Sequence, residues 1–324
     1  MSAATDAGVS SSPRPTGPGG APHGKRHAAA AILLRESAHG LEVLLVRRLQ
    51  SMAMAGGEWV FPGGTLASVD HSPQALQCCA PLAAAQEARL RTESEAPVAL
   101  PQLGPASCIA ACREVFEETG ILLAREHSGA PCQPQLVEAL QPNRAQVAAD
   151  PEGFSRMLAA HHLLLELDRL VFWERWITPS VVPRRFDTRF FLAPMPAAQQ
   201  AQQELQEADS SRWLSLREED GHSRLEPPIT TPPTLFPLQE LAALHARHGS
   251  LQDLLAACAS LRPPTVMMKI VREETGLVAL APWDAGYPDA PGEGVPCDVE
   301  LRTRFAAYPS RIIVPIDRGP AARI

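Results

Sequence analysis

The segment 113–121 (REVFEETGI) constrains the fold of this chain most strongly, because its acidic and apolar residues separate cleanly only on a helix. At about 100° per residue, Glu114, Glu117 and Glu118 cluster on one side, since residues three and four positions apart are neighbours on a helix surface. The opposite side collects residues that can pack against a core: Ile109, Cys112, Val115, Phe116 and Thr119. We therefore expect a helix that buries one face and presents three carboxylates on the other.

Three neighbouring carboxylates have a consequence for what this helix can bind. They repel one another and stay ionised only when a cation lies among them, and hard oxygen ligands suit Mg²⁺ or Mn²⁺. Arg113 lies at the edge of the acidic face, where its guanidinium can hold one carboxylate in a forked hydrogen bond. A solvated amphipathic helix is the alternative, since Glu is also a good helix former.

A double-glycine turn precedes the acidic helix in the sequence. Residues 61–64 (FPGG) follow a short apolar run, which indicates a strand that stops at the turn. Two glycines allow the backbone to approach a ligand or another backbone segment closely. A plain turn is the alternative for these residues alone, and the combination with the acidic helix makes the pattern specific.

The rest of the chain interleaves strands and helices without regular βαβ alternation, which favours a mixed sheet with helices packed against it. Residues 1–24 are rich in Ser, Pro, Gly and Ala and are expected to form a disordered tail. Residues 71–106 have the composition of an insert with one short helix. We expect strands at 28–34, 41–47, 58–61, 170–177, 187–193 and 212–216, mixed strand and turn from 266 onward, and helices at 107–119 (N-capped by Ser107 and ended by a left-handed Gly120), 146–167, 238–248 and 251–261.

The turn and the helix together resemble the Nudix box, G-x5-E-x7-R-E-U-x-E-E-x-G-U, in which U is aliphatic. Residues 113–121 match its second half at every defined position, and Gly64 matches its first glycine. Asp70 stands where the family has Glu, and 42 residues separate it from Arg113 where the box has seven. An insert can loop out at modest cost if its ends stay close. The chain is similar to the split-box Nudix subfamily whose animal members are peroxisomal coenzyme A diphosphatases, which 183–192 (PRRFDTRFFL) also resembles.

This resemblance implies an α/β fold with a Nudix-type mixed β-sheet sandwiched between helices over 25–220, and a mostly helical C-terminal extension over 221–324. It implies an enzyme that hydrolyses a diphosphate linkage in a nucleoside-diphosphate derivative, with Mg²⁺ or Mn²⁺ as cofactor. The implied catalytic residues are Arg113, which orients, and Glu114, Glu117 and Glu118, which bind the metal. Glu118 is also the residue that we expect to contact the attacking water.

The substrate is less constrained than the chemistry. A motif of coenzyme A hydrolysing Nudix enzymes is matched at Arg48, Gly57 and 61–64 but not at Leu49 and Ala53, which keeps coenzyme A or acyl-CoA as the first expectation. ADP-ribose or a dinucleotide is the second, and a non-catalytic Nudix-fold nucleotide sensor is an alternative of another class. Expected substrate contacts are Gly63, Gly64, Arg48, Arg185 and Arg189, with Glu207 or Asp209 as an extra acid.

The charge and cysteine content narrow the expected partners. Acidic residues outnumber basic ones by 36 to 29, so no broad basic field is available to attract nucleic acid. No apolar run approaches the roughly 18 residues that a membrane-spanning helix needs. Seven cysteines without a CxxC pair disfavour structural zinc and fit a reducing compartment, and the final Ala-Arg-Ile differs from a Ser-Lys-Leu peroxisomal address. We expect a cytoplasmic protein that binds a small nucleotide-type molecule, with the oligomeric state open and a homodimer as one option.

Overall fold

The positions of the strands and helices come from a computed structural model, which describes residues 24–52, 55–92, 103–201, 208–217, 229, 231–274 and 276–314. The expected tail lies outside these ranges except for Gly24, and so does the candidate acid Glu207. The strands are β1 Arg26–Ser37, β2 Gly40–Arg48, β3 Trp59–Val60, β4 Gly63–Thr65, β5 Ala124–Glu126, β6 Leu163–Leu165, β7 Val171–Ile177, β8 Phe186–Pro194, β9 Ala208–Ser215, β10 Thr265–Met267, β11 Lys269–Glu273, β12 Gly276–Leu280 and β13 Arg311–Val314. The α-helices are α1 Pro73–Gln77, α2 Ala84–Thr92, α3 Leu103–Thr119, α4 Pro134–Leu140, α5 Asn143–Ala149, α6 Glu152–Ala160, α7 Pro232–His248, α8 Leu251–Ser260 and α9 Val299–Arg304.

One mixed sheet organises the molecule. Within the described ranges it has eight strands, in the order β10-β7-β8-β1-β2-β3, with β4 paired to β1 and β9 paired to β2. The β1–β8 and β10–β7 pairs are parallel, whereas β1–β2 and β7–β8 are antiparallel. The β4 strand carries the double glycine and runs beside the N-terminal half of β1, so the turn at 61–64 lies on the sheet itself.

Helices cover both faces of this sheet, which explains why β1 is almost continuously aliphatic. Alternate side chains of β1 enter two separate cores. Ala31 and Leu33 pack in the core that contains the buried face of α3. Ile32 and Leu34 pack in the core that contains α7 and α8. The predicted mixed sheet between helices is therefore confirmed, with the acidic helix on one side of β1 and the C-terminal helices α7 and α8 on the other.

The acidic helix α3 begins earlier than predicted. It starts at Leu103, with Pro105 in the first turn where a missing N–H is tolerated. Ser107 is consequently an interior residue, and its hydroxyl donates to the Leu103 carbonyl at 2.7 Å, so the prediction of Ser107 as the N-cap is wrong. Gly120 ends the helix with a φ of 71°, the left-handed conformation that was expected there.

The predicted single helix over 146–167 is also wrong. The structure has two short helices, α5 and α6, followed by strand β6. Asp150 ends α5 in an extended conformation with a φ of −140°, next to Pro151, which cannot supply the backbone N–H that a continuous helix would need there. The strand β6 then pairs with β5 in a small separate sheet.

The insert that splits the box packs against the edge of the sheet. The Gln86 side chain on α2 donates to the Leu170 carbonyl at 2.7 Å, just before β7 begins. The Arg89 guanidinium donates to the carbonyls of Phe172 at 2.8 Å and Cys258 at 3.2 Å. Because Phe172 lies on the sheet and Cys258 near the end of α8, the insert ties two layers of the fold together.

The C-terminal part of the chain belongs partly to the main sheet. Its helices α7 and α8 cover one face, and β10 then adds a parallel strand beside β7, with Val266 opposite Trp176. A separate antiparallel sheet, β11-β12-β13, follows, as the mixed strand and turn pattern from 266 onward indicated. Among the residues that the structure describes, none of the helices has both the length and the apolar character required to cross a membrane.

Candidate active site

The double glycine of β4 lies directly against the acidic face of α3. The backbone N–H of Gly63 donates to the Glu118 carboxylate at 3.0 Å. A Cβ atom placed on Gly64 would lie 2.5 Å from the carboxylate atoms of Glu114, closer than real Cβ contacts come. Glycine at position 64 therefore leaves the Glu114 carboxylate its place against β4, and a larger residue would displace that carboxylate.

Arg113 organises the carboxylates of its own helix. Its Nη1 donates to Glu114 at 2.9 Å and to Glu117 at 2.7 Å, so these two carboxylates lie side by side around one nitrogen. The guanidinium is almost fully buried, with 3% of the side chain exposed, whereas Glu114 and Glu117 each keep 12% exposed. The arginine thus supports the acidic face from behind and leaves its carboxylates at the surface of the site.

A fourth acid, Asp70, completes the network from the other half of the split box. Its two oxygens accept a fork from Arg113, Nε at 3.1 Å and Nη2 at 3.0 Å. The Thr65 carbonyl accepts from the same Nη2 at 3.1 Å, and the backbone N–H of Ala67 donates to Asp70 at 2.8 Å. We expected Arg113 to form the forked hydrogen bond with a carboxylate of its own helix. It forms this bond with Asp70 instead, and Asp70 is 1% exposed.

This environment keeps Arg113 charged. Burial by itself would lower the pKa of the guanidinium, but the charges of Glu114, Asp70 and Glu117 and the hydrogen bond to Asp70 outweigh it, so the pKa lies above its ordinary value. A buried charge of this kind is stable only when it is paired and hydrogen-bonded. Arg113 therefore acts as a permanent cation that holds both halves of the box.

The C-terminal end of α3 is held by residues that the sequence analysis missed. The Arg144 guanidinium donates to the backbone carbonyl of Glu117 through Nε at 3.2 Å and Nη2 at 3.1 Å. The Gln141 amide donates to the Gly120 carbonyl at 3.0 Å. No sequence pattern pointed to this role, since both residues precede the helix that we predicted from residue 146 onward.

The acidic residues of α3 have the donor chemistry that a Mg²⁺ or Mn²⁺ ion requires. They are carboxylate oxygens near a glycine backbone, with Glu114 and Glu117 partly exposed and Glu118 buried at 8% exposure. The described part of the chain contains no group of three side chains from His, Cys, Asp or Glu that are placed to hold a metal ion. One oxygen of Glu114 and one of Glu117 are directed toward the Nη1 of Arg113.

The other candidate residues lie apart from this network. The Arg185 guanidinium donates to the Thr178 carbonyl at 3.2 Å and to the Glu293 carboxylate at 2.5 Å. Arg48 ends β2, and its Nε is buried without a hydrogen bond among the described residues. Asp209 lies in β9, paired next to β2, while its side chain is outside the described set.

Arg189 lies inside the sheet layer rather than at the surface. It is 1% exposed, and its Nη1 is 3.7 Å from the Asp187 carboxylate. Arg175 donates to both oxygens of Asp187, at 2.8 Å and 2.7 Å. Burial would raise the pKa of Asp187, but the hydrogen bonds and charges of the two arginines outweigh burial and lower it. The group is a buried ion cluster on the same side of the sheet as α3.

Comparison with known proteins decides what this arrangement belongs to. A family model described as the NUDT19 Nudix domain matches residues 19–241. The chain belongs to this Nudix family. The two halves of its box, separated by the insert, are joined in space by the Asp70–Arg113 fork. We refer to α3 from here on as the Nudix helix.

Curated relatives and one solved structure agree with this assignment. The human protein named acyl-coenzyme A diphosphatase NUDT19 is 31% identical over 246 residues, which cover 68% of this chain and 64% of the human one. The Xenopus laevis protein of the same name is 27% identical over 286 residues, or 77% of this chain and 72% of that one. The crystal structure of a Nudix hydrolase from Alicyclobacillus acidocaldarius superimposes with a TM-score of 0.54 at 27% identity, covering 68% of this chain and 92% of that one. The predicted family and fold are thus confirmed.

Proposed function

We propose that this Nudix protein hydrolyses the diphosphate linkage of coenzyme A or an acyl-CoA with Mg²⁺ as cofactor, Mn²⁺ being able to replace it. The observation that carries the proposal is the contact between the two halves of the box. The Gly63 N–H directs Glu118, the Gly64 backbone faces Glu114, and Arg113 aligns Glu114 with Glu117. An acidic surface of this kind, next to exposed backbone, suits a metal-assisted reaction of a diphosphate.

The residues of the chain have distinct tasks in this proposal. Glu114, Glu117 and Glu118 hold the divalent cation, which neutralises diphosphate charge and lowers the pKa of water when bound. Glu118 contacts the attacking water, because the Gly63 N–H fixes the direction of its carboxylate. The water oxygen bonds to one phosphorus and the anhydride P–O bond to that phosphorus breaks. The bridging oxygen leaves with the other phosphate and the water protons pass to solvent, which gives two phosphate monoesters. Arg113 stays charged throughout and orients the carboxylates.

The choice of coenzyme A rests on two kinds of support. The curated relatives from human and Xenopus laevis carry the name acyl-coenzyme A diphosphatase. Arg48, which fits the motif of coenzyme A hydrolysing Nudix enzymes, keeps a buried Nε without a hydrogen bond in the described part of the chain, and we assign it with Gly63 and Gly64 to the substrate. We assign Arg185 to a further phosphate, for which it would exchange its bond to Glu293.

Arg189 has an indirect part in this proposal. Its side chain is 1% exposed and lies next to Asp187 on β8, the strand that begins one residue after Arg185. We propose that it stabilises that strand end, on which Arg185 depends. Glu207 is retained as a candidate extra acid, and it lies outside the described residues.

Product analysis tests the substrate. Purified protein is incubated with Mg²⁺ and, separately, with coenzyme A, an acyl-CoA, ADP-ribose and a dinucleotide, and the nucleotide products are separated by chromatography. We expect 3′,5′-ADP from coenzyme A, since cleavage of its diphosphate leaves the 3′-phosphate on the ribose. AMP from ADP-ribose or a dinucleotide, without cleavage of coenzyme A, would favour the alternative pyrophosphatase activity. Tight nucleotide binding without turnover under any divalent metal would favour a nucleotide sensor.

We also propose a cytoplasmic location and a small-molecule substrate rather than nucleic acid. All seven cysteines are free thiols, several of them fully buried, as a reducing compartment would leave them. Burial raises the pKa of Cys108 and of Cys112, which keeps these thiols protonated and unreactive. Fluorescence microscopy of a tagged full-length chain tests the location, and a punctate rather than diffuse signal would contradict it.

A further inference from the structure

The last turn of the Nudix helix has backbone carbonyl groups that need hydrogen-bond donors from outside the helix. The final carbonyl groups of any α-helix lack partners within the helix. Here the Phe116 carbonyl accepts from the Gly120 N–H at 2.9 Å, which closes the turn. The carbonyls of Glu117 and Gly120 are instead bound by the side chains of Arg144 and Gln141. Side chains from another part of the chain therefore complete the end of the helix that carries the acids.

The two donors lie close together in the chain, Gln141 directly after α4 and Arg144 in the first turn of α5. The Gln141 amide also donates to the Val137 carbonyl at 3.0 Å, and the Arg144 N–H donates to the Gln141 carbonyl at 3.1 Å. Arg144 is only 7% exposed, so its guanidinium is held in place by the surrounding protein. This segment, which we call the 141–144 clamp, thus presents two fixed donors to the helix end.

Gly120 makes the fit between the helix and the clamp close. Its φ of 71° is a conformation that side chains disfavour. A Cβ atom at this position would also lie 2.2 Å from the Gln141 side-chain oxygen. The glycine of the box is thus required for the backbone turn, and it also leaves the Gln141 side chain room to reach the helix end.

Electrostatics gives the clamp a second task. The C-terminal end of a helix carries a partial negative charge, which opposes the placement of Glu117 and Glu118 in the last turn. The Arg144 guanidinium binds the Glu117 carbonyl from two nitrogens and brings a full positive charge to this end. It therefore offsets repulsion that would otherwise loosen the last turn.

We infer that Arg144 and Gln141 are positioning residues that fix the last turn of the Nudix helix, and with it the carboxylates of Glu117 and Glu118, for metal binding. This inference rests on the proposed function. The residues act through the helix backbone and touch neither the substrate nor the reacting atoms. Residues that support metal ligands in this way commonly change metal affinity or activity by about 10-fold to 100-fold when they are replaced.

The test compares Arg144→Ala and Arg144→Lys with Arg156→Ala, a matched control on α6 whose exposed side chain pairs with Asp150 and Glu152. Mn²⁺ affinity is measured by electron paramagnetic resonance without substrate, kcat and KM by product formation, and backbone order by amide hydrogen exchange over 117–121. We expect Arg144→Ala to bind Mn²⁺ about 10-fold more weakly. Its kcat should fall by a larger factor than its KM changes, and its backbone amide hydrogens at the helix end should exchange faster. We expect Arg144→Lys to recover part of each loss, since it keeps the charge without the two-nitrogen contact.

Gln141→Ala keeps the inference testable if Arg144→Ala does not fold, because it removes one hydrogen bond to the helix end and leaves the buried charge in place. Exchange and Mn²⁺ affinity equal to the control in the folded variants would overturn the inference. The hydrogen-exchange measurement needs no metal. It therefore tests whether the clamp orders the helix end even if the wild-type protein binds no Mn²⁺. A wild-type protein that neither binds Mn²⁺ nor hydrolyses the substrates would overturn the proposed function, while unchanged clamp variants in an active enzyme would overturn only the clamp.

Discussion

A buried pair of carboxyl groups predicts how the stability of this protein depends on pH. Glu174 on β7 is fully buried, and its side chain accepts from the Trp176 indole at 2.6 Å. It lies beside Glu240 of α7, whose two oxygens bind Arg304 of α9. Burial raises the pKa of Glu174 to about 8, with the charge of Glu240 adding to the rise and Arg304 opposing it. We therefore expect Glu174 to keep its proton at neutral pH.

The direction of the effect follows from proton binding. Below pH 4.5 the carboxyl is protonated in both the folded and the unfolded chain. Between pH 4.5 and about 8 the unfolded chain has lost the proton and the folded chain keeps it, so the free energy of unfolding decreases as the pH rises. At about 1.4 kcal/mol per pH unit, a shift from 4.5 to about 8 corresponds to a loss on the order of 5 kcal/mol.

Glu174→Gln removes this dependence while keeping the shape and a hydrogen bond donor toward Glu240. Unfolding by denaturant is followed at half-unit steps from pH 5 to pH 9 for wild type, Glu174→Gln and the control Glu300→Gln, an exposed acid on α9. We expect the wild-type stability to fall by about 1 kcal/mol per pH unit relative to Glu174→Gln, and Glu300→Gln to parallel the wild type. Parallel curves for wild type and Glu174→Gln over the whole range would refute the reasoning.

Three further predictions concern the Nudix site. Glu118→Gln should fold normally and lose turnover by about 10²-fold or more in a coenzyme A assay, and wild-type activity would contradict its role. Gly64→Ala should reduce Mn²⁺ affinity and kcat because its Cβ would displace Glu114. Gly24→Ala, where a Cβ meets nothing within 4 Å, is the control for glycine replacement, and equal Mn²⁺ binding in the two variants would argue against the contact. Asp70→Ala should lower the free energy of unfolding by about 3 kcal/mol, since it leaves Arg113 buried without its fork, and Asp70→Glu should recover most of this; a loss below about 1 kcal/mol in urea unfolding would contradict the pairing.

The parts of the site that the sequence predicted are those encoded by local spacing. The acidic face of the Nudix helix follows from intervals of three and four residues, and the contact with the double glycine follows from the family pattern. The role of Asp70 was not predicted, although its position in the box was identified. A fork between residues 43 positions apart depends on how the insert folds, and no local pattern encodes that.

The wrong or missing predictions of secondary structure and strand pairing also concern features that local sequence patterns do not determine. Ser107 looked like an N-cap because serine is a preferred capping residue, whereas the helix already includes Leu103 and Ser107 lies in its interior. The region 146–167 looked helical by composition, while Pro151 divides it. The parallel pairing of β10 with β7 joins segments about ninety residues apart in sequence, and only tertiary packing determines such pairs.

The central claim is that the acidic face of the Nudix helix binds divalent cations. Equilibrium Mn²⁺ binding, followed by electron paramagnetic resonance in the absence of substrate, tests it most directly. The comparison uses wild type, the triple variant with Glu114, Glu117 and Glu118 each replaced by Gln, and Glu300→Gln as the control. We predict that wild type and control bind Mn²⁺ alike and that the triple variant loses binding while remaining folded. Equal binding by the triple variant and the wild type would contradict the account.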